Sequence, residues 1–235
     1  VLKLWTEVGA GEKITLLESY GGTQEAEVIR DEILRIVKHK SFDHTLLQEA
    51  EIKPRSWNDI AILYRTNAQS RTIEEALIRA GIPYVLIGGT KFYERKEIKD
   101  LLAYLRIILN PKDMISYKRA EKTGKRRLEM VKQMLQVETI TQMKPAEILS
   151  RVLDVSQYLL QFDKNNEDDV SRIENIQELQ AVASEFEDLS SFLENVALVQ
   201  SEYSIGEKTK SNKQNHVTLM TLHSAKGLEF PIVFM

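Results

Sequence analysis

The sequence predicts an α/β domain with a parallel sheet and covering helices, interrupted by an insertion that is entirely helical. Short apolar runs alternate with helical patterns over residues 59–109, which is the rhythm of parallel strands joined by helices. From Met114 to Val199 no strand pattern is convincing, and helical periodicity dominates. Strand patterns return at Val217. One sheet domain, left and re-entered by the chain, accounts for this order.

The first part of the chain predicts a strand followed by a helix. Lys13–Ser19 alternates enough apolar residues to be read as a strand. The next stretch is predicted to be a helix, because its apolar residues recur at helical spacing: Ile29, Ile33, Ile36 and Val37.

The stretch from residue 59 to residue 109 predicts two strand–helix units. Asp59–Tyr64 is nearly all apolar, as expected of a strand covered on both faces. A helix follows from about Ser70 to Ala80, and Gly81 stands where a left-handed cap ends a helix. Tyr84–Ile87 is the next predicted strand, and Glu97–Leu109 places six apolar residues on one helical face.

The insertion is predicted to consist of helices joined by polar loops. Pro145 opens a helix that runs through Leu153, and Arg172–Val196 reads as one long helix. Residues 163–169 form a polar, acidic loop in this interpretation, and Ser201–Asn215 is expected to be mobile because it has almost no apolar residues.

These patterns predict three consecutive segments. Residues 1–112 form the first part of the α/β domain, residues 113–213 the helical insertion, and residues 214–235 the return to the sheet. The chain starts at Val1 without a methionine and stops inside a predicted strand, so we expect it to be a piece of a longer protein.

Composition excludes several classes of protein. The net charge of −3 gives no overall basic field, so nucleic-acid binding would depend on local groups. The chain has no cysteine, which excludes disulfides, a thiol nucleophile and a cysteine-ligated zinc site, and this fits a cytoplasmic protein. No apolar run approaches the roughly 20 residues of a membrane span, so no membrane partner is expected.

The loop after the predicted strand at 59–64 is the first candidate site. Arg65, Thr66 and Asn67 follow the strand directly. The planar fork of arginine can donate two hydrogen bonds to a phosphate, and asparagine adds a neutral donor. The alternative is an ordinary strand-to-helix loop with a solvated Arg65.

The second candidate site follows the predicted strand that begins at Val217. His223 and Ser224 are adjacent in sequence, a poor arrangement for a nucleophile and its base, and the chain has no Gly-x-Ser-x-Gly elbow. Gly227 is not part of a phosphate-binding loop, since Gly-x-x-x-x-Gly-Lys-Ser/Thr is absent from the chain. Glu229 could accept a hydrogen bond from a ligand hydroxyl or cap the next turn.

The second site also carries a family resemblance. Thr-Leu-His-Ser-Ala-Lys-Gly-Leu-Glu-Phe at 221–230 resembles motif V of the superfamily 1A DNA helicases, the UvrD, Rep and PcrA family. Further segments are similar to that family in the same order: residues 60–71, 81–84, 88–100, 110–111 and 172–179. The resemblance covers about 1–113 and 145–235. It implies the second, RecA-like motor domain, 2A, carrying an inserted 2B subdomain.

The resemblance also implies roles for the candidate residues. The residues expected to hold the backbone of single-stranded DNA are Arg65, Asn67, Thr221, His223 and Ser224. The residues expected to face ATP are Gly227 and Glu229. No catalytic residue and no metal ligand is expected within this chain. ATP and Mg²⁺ are expected as cofactors of the full-length protein, with neither bound to this chain alone. The expected partners are single-stranded DNA, single-strand/duplex junctions and the N-terminal motor domains of the same protein.

The family pattern is not complete in this sequence. The P-loop and motif VI are absent, and the insertion lacks the Gly-Ile-Gly hairpin that follows Asn-Pro in the family. The sequence is also shorter than the family pattern between about Asp113 and Lys144. Either the 2B subdomain is reduced or residues are missing from this stretch, and both leave duplex binding open. Lys125, Arg126 and Arg127 are candidate duplex contacts, or else a solvated helix face.

The family resemblance predicts an ATP-dependent 3′-to-5′ DNA helicase or translocase as the parent protein. Two alternatives stay open from the sequence. One is a helicase-nuclease subunit of the AddA and RecB type. The other is a non-catalytic α/β module whose helical insertion docks a protein partner.

Overall fold

The computed structural model of the protein describes residues 13–38, 55–135, 140–208 and 215–235. The strands within these ranges are β1 Ile60–Tyr64, β2 Tyr84–Leu86, β3 Val217–Thr221 and β4 Ile232–Phe234. The α-helices are α1 Gly22–Lys38, α2 Ser70–Arg79, α3 Lys96–Leu109, α4 Met114–Thr123, α5 Lys125–Met134, α6 Pro145–Ser156, α7 Glu167–Ala183 and α8 Leu189–Lys208.

The four strands form one parallel sheet in the order β2-β3-β1-β4. Strand β3, from the end of the chain, lies between β1 and β2 and pairs Ala61 with Thr218 and Tyr64 with Thr221. The return segment therefore supplies a central strand of the sheet, β3, and an edge strand, β4. This confirms the predicted α/β class with a parallel sheet and flanking helices.

The turn between α2 and β2 shows why the local sequence folds as predicted. Ile73, Ala76 and Leu77 are buried on the inner face of α2. Gly81 follows with a φ of +67°, a left-handed conformation that glycine adopts without a side-chain clash. Its amide donates to the carbonyl of Ile78 at 2.9 Å, which ends the helix and turns the chain into β2.

Buried apolar side chains form two separate cores. The sheet core lies between the strands and helices α1 and α2, and its most buried members include Ile33, Ile60, Ile62, Leu77, Val217 and Leu219. The helical core is formed by helices α3 through α8 and includes Leu101, Tyr104, Val152, Leu179 and Phe192. Because α3 packs into the helical core, the cores divide near residue 90. The domain boundaries at 112 and 213 stay predictions.

The strand predicted over Lys13–Ser19 is wrong. This segment is neither helix nor strand and is exposed, with Ile14 fully open to solvent, and it is not paired with the sheet. A run of alternating apolar residues becomes a strand only where an edge of a sheet accepts its backbone hydrogen bonds. Among the residues that the structure describes, the sheet ends at β2 and β4.

The single helix predicted over Arg172–Val196 is wrong as well. The structure has two helices, α7 and α8, separated by residues 184–188. The Asp188 carboxylate accepts hydrogen bonds from the amide and hydroxyl of Ser191, at 2.8 Å and 2.7 Å, and so caps a new helix. Phe186 turns back onto Phe192 with 5.5 Å between ring centroids, which keeps the apolar periodicity continuous across the break.

The polar loop predicted over residues 163–169 is shorter than expected, and the first part of the segment predicted to be mobile, residues 201–208, is helical. Asn166 caps α7 by accepting from the amide of Asp169, so residues 167–169 form the first turn of the helix. Acidic side chains are favourable there because they face the positive end of the helix dipole. At the other end, residues 201–208 continue α8, and residues 209–214 lie outside the described part of the chain.

Candidate functional site

Loops that leave the carboxyl ends of β1, β2 and β3 meet at one edge of the sheet. The amide of Leu222 donates to the carbonyl of Tyr64 at 2.9 Å, and the amide of Ile87 donates to the carbonyl of Leu219 at 2.9 Å. These bonds keep the strands side by side up to their ends. We call the loops at 65–69, 88–90 and 221–227 the carboxyl-edge site. Open α/β sheets bind ligands in this position.

Arg65 and His223, from different loops, are in direct contact at this site. The guanidinium Nη1 of Arg65 lies 3.0 Å from Nδ1 and 3.3 Å from Nε2 of the His223 ring. Because arginine can only donate, the imidazole nitrogen it meets accepts the hydrogen bond. Both side chains are exposed, so a ligand at the edge of the sheet can reach them together.

The loop after β1 is held in shape by Gln69. The backbone amides of Arg65 and Thr66 both donate to Oε1 of Gln69, each at 3.0 Å. Asn67 lies half-buried inside this turn. Its Oδ1 faces the loop after β2, where a Cβ built on Gly89 would lie 3.8 Å away. Asn67 is thus placed between two of the loops.

Thr221 and Ser224 form a pair of hydroxyls at the end of β3. Their Oγ atoms are 3.0 Å apart, and the amide of Ser224 donates to Oγ1 of Thr221 at 3.2 Å. Gly88, in the loop after β2, has a φ of +72°, and a Cβ built there would lie 3.2 Å from Oγ of Ser224. The glycine therefore permits both the turn and the close approach. The five residues predicted to hold DNA are brought together by these contacts.

Gly227 and Glu229 lie a few residues further along the same loop. Gly227 has a φ of +84°, a left-handed conformation that glycine adopts without a side-chain clash, and a Cβ there would meet nothing within 4 Å. Glu229 is exposed, and the chain passes from it into β4 without an intervening helix. An exposed carboxylate beside an open glycine can accept a hydrogen bond from a sugar hydroxyl. The nucleotide role of these residues stays a prediction.

The basic residues Lys125, Arg126 and Arg127 lie in the first turn of α5, in the helical part of the protein. They differ in their surroundings. The Arg127 guanidinium donates to the carbonyl of Thr123 at 2.8 Å and lies 5.9 Å over the ring of Tyr158. Lys125 faces Glu121 at 3.7 Å, and Arg126 is exposed. Lys125 and Arg126 are both open to solvent, whereas Arg127 is half-buried, and their contact with a duplex stays a prediction.

The aromatic pair Phe92 and Tyr93 does not belong to the site. Both rings are fully buried and pack edge to face, with 5.1 Å between centroids. Their position in the helical core excludes the role of stacking platform for bases that an exposed aromatic would have.

Sequence reasoning missed a buried polar network beside the carboxyl-edge site. Its centre is Arg95, which is 8% exposed and contacts Ser70, Thr90 and Asn175. Burial lowers the pKa of Arg95 and raises the pKa of Glu74, its 3.9 Å neighbour, although the Ser70 hydroxyl and the Arg95 charge oppose the rise at Glu74.

A signal for this network is present in the sequence. On α2, Ser70 and Glu74 share the helical face of Ile73 and Leu77, so polar groups occur at positions that periodicity assigns to the core. A buried charge needs partners, and such positions predict a polar contact between elements.

The chain matches the model of a known protein family. Residues 2–154 and 128–235 match the family model of the UvrD-like helicase C-terminal domain. The chain belongs to this family. The match takes in nearly all of the chain, and it confirms the predicted superfamily 1A resemblance.

Curated relatives agree with the family match. The chain is similar to the ATP-dependent DNA helicase PcrA of Bacillus subtilis strain 168, with 36% identity over 284 aligned positions. It is similar to the proteins of the same name from Staphylococcus epidermidis RP62A, at 33%, and Staphylococcus aureus Mu50, at 34%. Each alignment covers 99% of this chain and 36% of the relative. The chain spans about a third of their length.

The described part of the chain lacks a metal cluster and a membrane-spanning helix. Among the residues that the structure describes, no group of three or more His, Cys, Asp or Glu side chains is arranged to hold a metal ion. Within the same ranges, no helix is both long and apolar enough to cross a membrane.

Proposed function

We propose that the chain is the second motor domain, 2A, with its 2B insertion, of an ATP-dependent DNA helicase or translocase that moves 3′ to 5′. It supplies one grip on single-stranded DNA and one wall of the ATP cleft. The observation that carries this proposal is the 3.0 Å contact between Arg65 and His223, which joins the loops of neighbouring strands at the edge where α/β sheets bind ligands. The names of the relatives support the same activity.

The chemistry of the grip suits a phosphodiester backbone. Arg65 offers a cationic fork, Asn67 a neutral amide, and Thr221 and Ser224 two hydroxyls. Since one hydroxyl of that pair donates to the other across 3.0 Å, the second is left to donate outward. Donors of this kind fix the position of a strand without reading its bases, as a motor that moves along any sequence requires.

The nucleotide side of the proposal rests on Gly227 and Glu229. The glycine leaves space for close approach, and the glutamate can accept from the ribose of ATP. ATP with Mg²⁺ supplies phosphoryl-transfer chemistry when bound, and we assign its phosphate contacts and its metal to the N-terminal motor domains of the same protein. The residues assigned to DNA and those assigned to nucleotide share one loop. A conformational change at the nucleotide residues is therefore transmitted to the DNA residues through the backbone of Ala225 and Lys226, and the reverse also holds.

The remaining partners are proposed on chemical grounds. A single-strand/duplex junction fits a motor of this class, with Lys125 and Arg126 as exposed cations and the half-buried Arg127 beside them. The absence of cysteine agrees with a cytoplasmic location.

The proposal is tested in the full-length protein with Arg65→Ala and His223→Ala. Loss of one hydrogen bond to a charged group corresponds to about 1.5–3 kcal/mol, or roughly a ten- to hundredfold weaker affinity for single-stranded DNA. DNA-stimulated ATPase should fall in parallel at subsaturating DNA. Arg151→Ala, which removes an exposed arginine on α6, is the matched control. If both site variants keep wild-type affinity and ATPase, the site is assigned incorrectly.

The chain by itself should not hydrolyse ATP, because the chemistry needs groups from both sides of the cleft. Phosphate release is measured with purified chain, with and without single-stranded DNA. Hydrolysis above background that persists after removal of contaminating enzymes contradicts this prediction.

A further inference from the structure

Arg95 connects three parts of the molecule. Its Nε donates to the carbonyl of Thr90 at 3.1 Å, its Nη2 to the hydroxyl of Ser70 at 2.8 Å, and its Nη1 to Oδ1 of Asn175 at 2.6 Å. The side chain is also stacked over Phe92, with 5.1 Å from Cζ to the ring. A planar guanidinium that is bonded on three sides can shift only if all three partners shift.

One of these partners, Thr90, belongs to the carboxyl-edge site, and another, Ser70, adjoins it. Ser70 is the residue directly after Gln69, whose side chain holds the turn that carries Arg65. Thr90 directly follows Gly89, in the loop that closely approaches Ser224. Arg95 therefore fixes the loops after β1 and β2 relative to each other.

The third partner lies on α7, in the helical part of the protein. Asn175 accepts from Arg95 and donates through Nδ2 to Glu97 at 2.6 Å. One turn further along α7, Glu178 accepts from Nε of Arg71 at 2.6 Å. Arg71 directly follows Ser70, so α7 is bonded to the start of α2 directly at Arg71 and indirectly, through Arg95, at Ser70.

Burial makes these hydrogen bonds costly to break. Arg95 is 8% exposed and Asn175 4% exposed, so a broken bond would leave a charged donor without water as a substitute. The stable response to a movement of α7 is that Arg95 follows Asn175 and draws Ser70 and Thr90 with it. Movement of the helical part is thus transmitted to the loops at the sheet edge.

We propose that Arg95 and Asn175 are positioning residues that couple α7 to the grip on single-stranded DNA. The position of α7 sets the spacing of the loops at 65–69 and 88–90, and with it the affinity of the carboxyl-edge site for the strand. This coupling rests on the proposed DNA-binding function, and it assigns that site a means of regulation by the helical insertion.

The test uses Asn175→Leu in the full-length protein, with DNA-stimulated ATPase measured against single-stranded DNA concentration. We expect the half-saturating DNA concentration to rise about fivefold or more, the low end of coupling between two sites. The rate at saturating DNA should stay at the wild-type value, because Asn175 touches neither ligand. Gln180→Ala is the matched control, since Gln180 lies on the same helix and donates to Ser150 on α6 instead.

Rescue separates positioning from general damage. In the double variant Asn175→Asp with Glu97→Gln, the aspartate at position 175 still accepts a hydrogen bond from Arg95. The glutamine at position 97 now donates to position 175, which reverses the direction of the wild-type bond. The half-saturating DNA concentration should therefore lie within about twofold of the wild-type value, unlike that of Asn175→Leu. Should Asn175→Leu fail to fold, Glu178→Ala removes the neighbouring link at a half-buried position, and it should raise half-saturation in the same direction.

Two results overturn the coupling. One is a folded Asn175→Leu protein, or a folded Glu178→Ala protein in its place, with wild-type half-saturation while Arg65→Ala is weakened; the proposed function then stands without the coupling. The other is a lower saturating rate with unchanged half-saturation. If Arg65→Ala also binds as wild type, the proposed function fails and the coupling fails with it.

Discussion

Substitution of Gly88 by alanine should weaken both the fold and the DNA grip, for reasons that can be separated. Gly88 has a φ of +72°, and a Cβ there would lie 3.2 Å from Oγ of Ser224. A left-handed conformation costs an L-residue about 1–2 kcal/mol, and the tight contact adds to this. Taking about 1.5 kcal/mol, the melting temperature should fall by roughly 3–6 °C for a chain of this size.

The effect on DNA comes from the displaced hydroxyl of Ser224. Its pairing with Oγ1 of Thr221 at 3.0 Å would be lost or lengthened. The loss of one hydrogen bond, about 1 kcal/mol, corresponds to roughly fivefold weaker binding of single-stranded DNA. Affinity is measured by fluorescence anisotropy with a labelled oligonucleotide, well below the melting temperature of each variant.

Two neighbouring glycines provide graded controls. Gly227→Ala carries the same backbone strain, since its φ is +84°, but a Cβ there meets nothing within 4 Å. Gly89→Ala carries neither cost, because its Cβ would make an ordinary 3.8 Å contact with Asn67. We expect stability to fall in Gly88→Ala and Gly227→Ala only. Equal affinity of Gly88→Ala and Gly89→Ala for single-stranded DNA would refute the contact between the β2 loop and Ser224.

Further predictions concern the helical part. Hydrogen bonds from Ser116 hold the pKa of Asp113 below its ordinary value of 3.8. The ionised Asp113 carboxylate therefore stabilises α4 fully above pH 3.8, and this stabilisation is lost as the pH falls through the pKa of the folded state. Asp113→Asn, which still caps the helix, should therefore flatten the fall in melting temperature below pH 3.8. Arg126→Ala should weaken junction binding with unchanged stability, whereas Arg127→Ala should lower stability by about 1 kcal/mol, since Arg127 packs on Tyr158. A junction affinity unaffected by Arg126→Ala in gel-shift titrations would exclude the duplex contact.

Local sequence patterns were enough to predict most elements of the sheet domain, but not where the helices of the insertion begin and end. β1, α2 and Gly81 were predictable because periodicity and a left-handed cap are local properties. The segment 13–19 has a similar apolar pattern and forms no strand, because pairing depends on a partner elsewhere in the chain. The break before α8 was hidden by Phe186, whose contact with Phe192 preserves the apolar spacing through a non-helical stretch.

The candidate site was predictable as a set of residues and not as a geometry. Arg65 and His223 stand 158 residues apart, and only the insertion of β3 beside β1 brings them into contact. The same holds for Arg95 and Asn175, which no short motif connects. Their joint burial depends on how α7 packs against α3, which is a tertiary property.

The salt dependence of binding tests the central claim most directly, namely that Arg65 holds a phosphate of single-stranded DNA. Each phosphate contact contributes about 0.7 to the slope of log affinity against log salt concentration for a single strand. The account predicts that Arg65→Ala in the full-length protein makes this slope less steep by about 0.7, while Arg151→Ala leaves it as in the wild type. A slope unchanged by Arg65→Ala would contradict the account, whatever the change in affinity.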